Sequence, residues 1–447
     1  MNFDRIALRV PTILLPAAGV DMTRWAVIAC DQYTSDPDYW EKVREAIDGA
    51  PSTLELIFPE IFLEEEGRDE RIARINAAMD RYLAQGILQP LPPGFVLVDR
   101  QTAHAPSRKG LMVALDLEAY DYGAASTSLI RATEGTILDR LPPRIRVREK
   151  ASLELPHIMV LIDDPDRTVI EPLFAQTRPA AYDFPLMLGG GHLRGWRVED
   201  EASIAGVVSA LAALAEPAAF RRKYALQDQA PVLYAMGDGN HSFATAKAIW
   251  EKLKKEAPDP AAIMDHPARW ALVELVNVHD PGLEFEPIHR VVFGVDFSKL
   301  ARMMTGFFAA AGSSCRILEV ANRAALDAAL QAEKGETRHL LPLVAEGHFA
   351  LAVIENPTLQ LTVATLQPFL DAYLAETPGA RIDYIHGEGS VTALGSRPGN
   401  VGFYLPALSK HELFKTIILD GALPRKTFSM GEADEKRFYL ECRRIGR

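Results

Sequence analysis

Between residues 232 and 250 the chain reads VLYAMGDGNHSFATAKAIW, a run that places small, acidic, imidazole and hydroxyl groups side by side. Val232, Leu233, Tyr234, Ala235 and Met236 form an apolar stretch suited to a buried strand; Gly237, Asp238, Gly239 and Asn240 break it, and a helix-forming segment begins near His241. Gly237 and Gly239 permit positive φ and close approach of backbone N–H groups to a ligand. The helix start adds unpaired N–H groups and a partial positive charge, so the element can cradle phosphate with few cations. Beside it, Asp238 offers a carboxylate for Mg²⁺ or for proton transfer, and His241 an imidazole for phosphate oxygens. The same residues are also the ordinary chemistry of a turn, in which Asp238 or Asn240 simply caps the helix. The spacing is neither a Walker A loop nor a Rossmann GxGxxG.

Two other stretches offer anion chemistry. Arg131-Ala132-Thr133-Glu134-Gly135-Thr136 is followed closely by Asp139, Arg140 and Arg144, so Arg140 and Arg144 share a face if the segment is helical. They suit an anionic substrate or a triphosphate, or else a solvated ion-pair cluster. The three glycines at 189–191 before His192 suit a mobile flap or a phosphate nest, with His192 as the chemical residue, and equally suit a hairpin.

The segment Gly237-Asp238-Gly239-Asn240-His241-Ser242-Phe243-Ala244-Thr245-Ala246 resembles the Asp-Gly-His-His-Arg-Tyr-x-Thr-Ala signature of the family catalogued as domain of unknown function 1015. That signature is similar to the phosphate-binding motifs of ParB-type CTPases, sulfiredoxin and the archaeal free-serine kinase. Further matches are Glu134-Gly135-Thr136 with Asp139-Arg140, Gly282-Leu283 with Pro287-x-His289-Arg290, and Pro424-x-Lys426-Thr427-Phe428. The resemblance implies nucleotide binding and transfer of phosphate to free L-serine. Gly237, Gly239, Asn240, Ser242, Thr245 and Lys426 would then face the nucleotide phosphates, and Tyr33, Arg140, His289 and Arg290 the substrate, to which Arg144 and His192 are added on their residue pattern. Asp31 and Tyr33 correspond to a Pro-Pro-Tyr-Asp type loop, which makes Asp31 the candidate general base; the other reading is a loop Asp in an Asx-turn with a Tyr packed over it. Asn240 and Ser242 stand where the motif has His and Arg, and the missing Arg removes a bidentate phosphate contact.

Elements must bring these residues together. A short apolar run at 25–29 opens into Cys30-Asp31-Gln32-Tyr33 ahead of a helix from about Asp36 to Ile47; Cys30 reads as a small buried residue. Residues from about 95 to 173 alternate in short runs, as in a sheet, and His157 to Asp164 reads as a buried strand ending in a turn. The expected architecture is α/β, with a mixed sheet carrying the strand-loop-helix cradle and a smaller inserted α+β subdomain. The expected division is 1–295 for the main domain, 296–379 for the subdomain and 380–447 for a segment returning to the first. Around the cradle, Asp31, Arg140, His289 and Lys426 should meet, because a few N–H groups cannot neutralise a triphosphate.

Composition bounds the function. The 447 residues are 48% hydrophobic, enough for one large core or two smaller ones. A formal charge of −12 argues against nucleic-acid binding, since a phosphate backbone demands a basic face. Three cysteines without CxxC spacing fit a reducing compartment and exclude a cysteine zinc cluster. The N-terminus lacks a signal-peptide pattern and no apolar run approaches a membrane span, so the expected setting is cytoplasmic, without a membrane partner. The function these features suggest is an ATP- and Mg²⁺-dependent kinase of a small hydroxylated metabolite. A nucleotide-binding regulatory module and a nucleotide hydrolase are the alternatives.

Overall fold

The computed structural model describes residues 1–63, 65–123 and 126–446. It is a mixed α/β protein of two units: Met1–Glu284 together with Met430–Arg447, and Phe285–Ser429.

In the first unit a mixed sheet has the order Ala180–Pro185, His192–Val198, Phe95–Gln101, Arg108–Asp116, Trp270–Asn277, Met159–Ile162, Tyr234–Asp238, Ile130–Arg131, Tyr120–Asp121. Met159–Ile162 lies parallel to Trp270–Asn277 and antiparallel to Tyr234–Asp238. Strand side chains alternate between faces, and both faces are covered. Leu97, Leu111, Val113 and Val273 pack in one core with Phe243 and Trp250 of the helix Asn240–Glu256. Val96, Val98, Met112 and Leu272 pack in another with Trp25, Trp40, Tyr82 and Tyr439. Burial on both sides is why these strands read as continuous apolar runs.

The cradle is tighter than its sequence implies. The strand continues through Gly237 and Asp238, and the helix begins at Asn240, so the expected four-residue loop reduces to Gly239. Met159 pairs with Asp238 and Val160 with Met236, which leaves Gly237 as the extra residue of a β-bulge. A Cβ at Gly237 would come within 2.9 Å of Met430 Cε.

The last residues of the chain close the first unit. Phe438 and Tyr439 pair with Ile28 and Val27, and Arg443–Arg444 pairs with Leu153–Glu154. Just before them, Arg437 is buried with two carboxylates, its Nε 2.8 Å from Glu274 Oε2 and its Nη2 2.6 Å from Glu441 Oε2. Its Nη1 donates to the carbonyls of Pro156 and Phe438. Burial pushes the guanidinium toward losing its proton, but Glu441 and Glu274 outweigh it and hold the charge.

The second unit starts earlier and ends later than the sequence suggests. Phe285–Phe293 pairs antiparallel with both Arg381–His386 and Asn400–Phe403, so residues 285–295, expected in the main domain, and the first part of the segment expected to return to it belong to one second sheet, while residues from Met430 onward do belong to the first unit. That sheet continues through Arg338–Ala345, His348–Glu355 and Ser314–Val320, with the helices Phe297–Ala310 and Thr362–Glu376 sharing its core. Among the described residues no single helix is long and apolar enough to cross a membrane.

Removing the Arg437 guanidinium leaves two buried carboxylates without their counter-ion. Arg437→Ala is expected to destabilise the first unit by about 3–5 kcal/mol, read as a lowered denaturant midpoint; a loss below about 1 kcal/mol would show that the network is dispensable.

Candidate functional site

Gly239, at φ +79°, is the N-cap of the 240–256 helix, and among the described residues no side chain caps that helix start. Asp238 and Asn240 therefore do not serve as the N-cap. A Cβ at Gly239 would meet Ile158 Cγ1 at 3.0 Å and Ile158 Cα at 3.1 Å. The glycine is demanded by Ile158, just before the neighbouring strand, as well as by its φ, so a side chain there would collide whether or not a ligand were bound.

Asp238 Oδ1 accepts the Gly239 N–H at 2.8 Å and Oδ2 lies 3.3 Å from Lys436 Nζ. Burial raises the carboxyl's proton affinity, but Lys436, His157 and the Gly239 N–H together bring it below the ordinary range, so Asp238 is an anion. Asn240 Nδ2 donates to Thr133 Oγ1 at 3.5 Å, whose own hydroxyl donates to Met236 O; Asn240 Oδ1 is buried without a hydrogen-bond partner among the described residues. His241 occupies the first turn of the helix, where its carbonyl accepts the Thr245 hydroxyl at 2.7 Å.

His157 stands at the centre of the site. Its Nε2 is 3.2 Å from Ser242 Oγ and 3.8 Å from Asp31 Oδ2; its Nδ1 is 2.7 Å from the Tyr439 hydroxyl. That hydroxyl accepts the Cys30 N–H at 3.3 Å and lies 3.0 Å from Cys30 Sγ. Burial pushes the Cys30 thiol far up, so it stays a neutral thiol, a much weaker acceptor than an imidazole nitrogen. The single Tyr439 proton is therefore best placed on the bond to Nδ1. In the neutral ring this leaves Nε2 carrying the hydrogen and directed at Asp31 and Ser242, which avoids setting a lone pair against a carboxylate. Asp31 and Ser242 share one ring nitrogen, so the group is not a Ser-His-Asp relay, which needs the acid on the other nitrogen.

A cavity of about 140 Å³ opens beside these groups, lined by His157, Ser242, Thr245, Cys30 and Tyr439 and by many apolar side chains. Glu60 and Arg144 form an ion pair on its wall. Burial raises the Glu60 carboxyl above its ordinary range despite Arg144.

The structure thus gathers Asp31, Arg144, Asp238, Gly239, Asn240, Ser242 and Thr245 in the first unit. Tyr33, at φ +50°, stacks on Tyr39 at 3.7 Å and accepts Trp40 Nε1–H through its carbonyl. Arg140 is exposed at the end of the 3-10 turn Leu138–Arg140, and its carbonyl accepts Arg144 Nη1–H. His192 begins an edge-side strand, with Nε2 2.5 Å from Asp183 Oδ1.

His289, Arg290 and Lys426 belong to the second unit. His289 is buried, and its Nδ1 accepts the Leu405 N–H. Arg290 is fully buried and donates to Gln367 Oε1 and to the carbonyls of Ile288, Arg425 and Lys426. Those are the contacts of an arginine that holds its own unit together. Lys426 is exposed, at φ +57°.

Four contributors were not singled out from the sequence: His157, Lys436, Tyr439 and Glu60. His157 merely precedes an apolar strand, and Lys436 and Tyr439 lie in a charged, aromatic tail that has no motif spacing. Nitrogen-resolved NMR of histidine tests the hub. Neutral His157 is expected as the Nε2–H tautomer, and Tyr439→Phe is expected to yield a mixture with Nδ1–H. A wild-type Nδ1–H tautomer would overturn the assignment.

A family model described as "Protein of unknown function (DUF1015)" matches residues 14–373. No curated protein matches the chain. Among solved structures, a conserved hypothetical protein from Pyrococcus furiosus is 13% identical with a TM-score of 0.36, covering 74% of this chain and 90% of its own. A free serine kinase in complex with ADP is 11% identical with a TM-score of 0.40, covering 74% of this chain and 91% of its own. SbnI with a C-terminal truncation, from Staphylococcus aureus, is 9% identical with a TM-score of 0.35, covering 72% and 82%. The family match spans most of the sequence, including the turn at Gly239 and the residues gathered around it from Asp31 to Thr245, and the chain belongs to the DUF1015 family.

Proposed function

We propose that the chain transfers a phosphoryl group from a nucleotide to the hydroxyl of a small molecule. One observation carries the reading: a helix start without a side-chain cap stands beside the Lys436 ammonium and His157, with the Asp31 carboxylate 3.8 Å from His157 Nε2. Phosphoryl transfer asks for neutralised charge and in-line positioning more than for covalent help. N–H groups at the helix start, Ser242 and Lys436 hold phosphate oxygens, His157 Nε2–H donates to a transferring oxygen, and Asp31 accepts the proton of the acceptor hydroxyl.

ATP is the donor proposed, and free L-serine is the acceptor that the family resemblance suggests. Mg²⁺, when bound, neutralises phosphate charge. Among the described residues no group of three or more His, Cys, Asp and Glu forms a metal cage. That fits an ion carried mainly by phosphates, with Asp238 as one protein ligand. Asp238 already holds Lys436, and Ser242 stands where the motif has Arg. These two facts favour a second reading, a module that binds nucleotide as a signal without turning it over.

Incubating the purified protein with ATP or ADP, Mg²⁺ and a pool of hydroxylated metabolites separates the readings. A phosphorylated metabolite supports the transferase, free phosphate alone a hydrolase, and nucleotide binding without either the regulatory module. Within the first outcome, Asp31→Asn is expected to lower turnover by about 10²–10⁴-fold while nucleotide binding is retained. Lys436→Met is expected to weaken nucleotide binding by roughly tenfold or more, the loss of a charge-assisted contact. An Asp31→Asn protein with full turnover would remove the assigned base.

A further inference from the structure

The cavity beside His157 carries information about the acceptor that the phosphate-binding turn does not. We infer that it receives the apolar body of the acceptor, so that the substrate is a hydroxylated molecule bearing an uncharged ring or branched alkyl group of about benzene size. This rests on reading the site as a phosphotransferase, and it departs from free L-serine.

The walls are the first reason. Ile57, Phe58, Leu63, Met79, Val147 and Leu272 line the space, and its charged residues are already engaged with one another or with neighbours. Glu60 pairs with Arg144, while Glu154 pairs with Arg148 and Arg443. Thr245 donates to His241 O, and the Tyr439 hydroxyl is engaged with His157 and Cys30. Of the polar lining, His157 Nε2 and Ser242 Oγ face each other at 3.2 Å. These two atoms, assigned above to the phosphoryl oxygens, mark the polar end of the space, where the acceptor's hydroxyl would meet the transferred group. Sites of this kind, apolar with a few convergent polar groups, orient small molecules by one end.

Size and charge are the second reason. The cavity measures about 140 Å³, close to the roughly 150 Å³ of an apolar cavity that stays dry and takes up benzene. Free serine carries an ammonium and a carboxylate within a few bonds of its hydroxyl. Both would be stripped of water against a wall whose charges are spoken for, and desolvating an ion without a partner is strongly unfavourable. An uncharged apolar group gains from the same burial.

Calorimetric titration of the full chain with benzyl alcohol, L-serine and ADP tests this, on the wild type and on Ala151→Leu. Ala151 is a partly exposed cavity-lining residue, so the added methyl groups reach into the space without replacing core packing; Val147→Phe is the second filling variant, used if the first fails to fold. Benzyl alcohol is expected to bind and L-serine not to. The filling variant is expected to weaken benzyl alcohol at least about tenfold and to leave ADP affinity unchanged. Three results would overturn the inference: no binding of benzyl alcohol at millimolar concentration, parallel loss of ADP binding in the filled variant, which makes the cavity a nucleobase site, or L-serine binding abolished by Glu60→Gln, which means that the Glu60–Arg144 pair opens for an amino acid. Failure of ADP to bind while benzyl alcohol does would instead count against the phosphotransferase reading and leave the ligand class of the cavity supported.

Discussion

Arg437 holds the first unit in the form that the site requires. Its guanidinium reaches Glu274 in a central strand, Glu441 further along its own segment, and the carbonyl of Pro156, the residue before His157. The Tyr182 hydroxyl donates to the other oxygen of Glu441, at 2.6 Å. An ion pair as buried as this one adds little net stability over an apolar equivalent, yet breaking it is costly. What it supplies is position. The residues on either side, Lys436 and Tyr439, are placed against Asp238 and His157 by the same segment, and Ala29 N–H donates to the Arg437 carbonyl. Ends of the chain more than 400 residues apart are thereby joined at one place, and Asp31 lies two residues beyond that junction.

The glycines of the turn illustrate how fold and function compete for the same residue. Gly237 is a bulge that turns the strand's last residue toward Lys436; Gly239 yields to Ile158 at van der Waals limits. Neither needs a ligand to explain it. What the glycines leave unexplained lies elsewhere: among the described residues the helix start has no side-chain cap, the Asn240 oxygen is buried without a hydrogen-bond partner, and a tyrosine stands behind the histidine ring.

Polarity divides the site in two. On one side lie the Asp238–Lys436 pair, the helix start and His157, where the proposed transferase would hold phosphate; on the other the cavity is apolar, with its ions paired off. A donor and an acceptor of different chemistry would be sorted by this contrast, since a phosphate is poorly accommodated among leucines and an apolar group gains nothing beside an ammonium. Arg290 and His289, which the family motif marks, are spent on carbonyls and an N–H within the second unit. Their types are explained by what they hold together.

Local chemistry was legible from the residues alone. Asp36 ahead of Pro37 caps the helix Pro37–Ile47, the apolar runs at 157–162 and 270–278 contain buried strands, and the strand-turn-helix around Gly239 lies where its pattern puts it. Period, propensity and turn chemistry act over a few residues, so a single sequence carries them. The division at 285 and 430 was not legible, because strand partners such as His289 and Ile385 are chosen across long separations by burial and not by any mark in either strand. Nor were His157, Lys436 and Tyr439. Each is an ordinary residue in its own segment, and it acquires a role only when the ladder of Phe438–Tyr439 with Val27–Ile28 and the buried charge of Arg437 bring three remote stretches to one point.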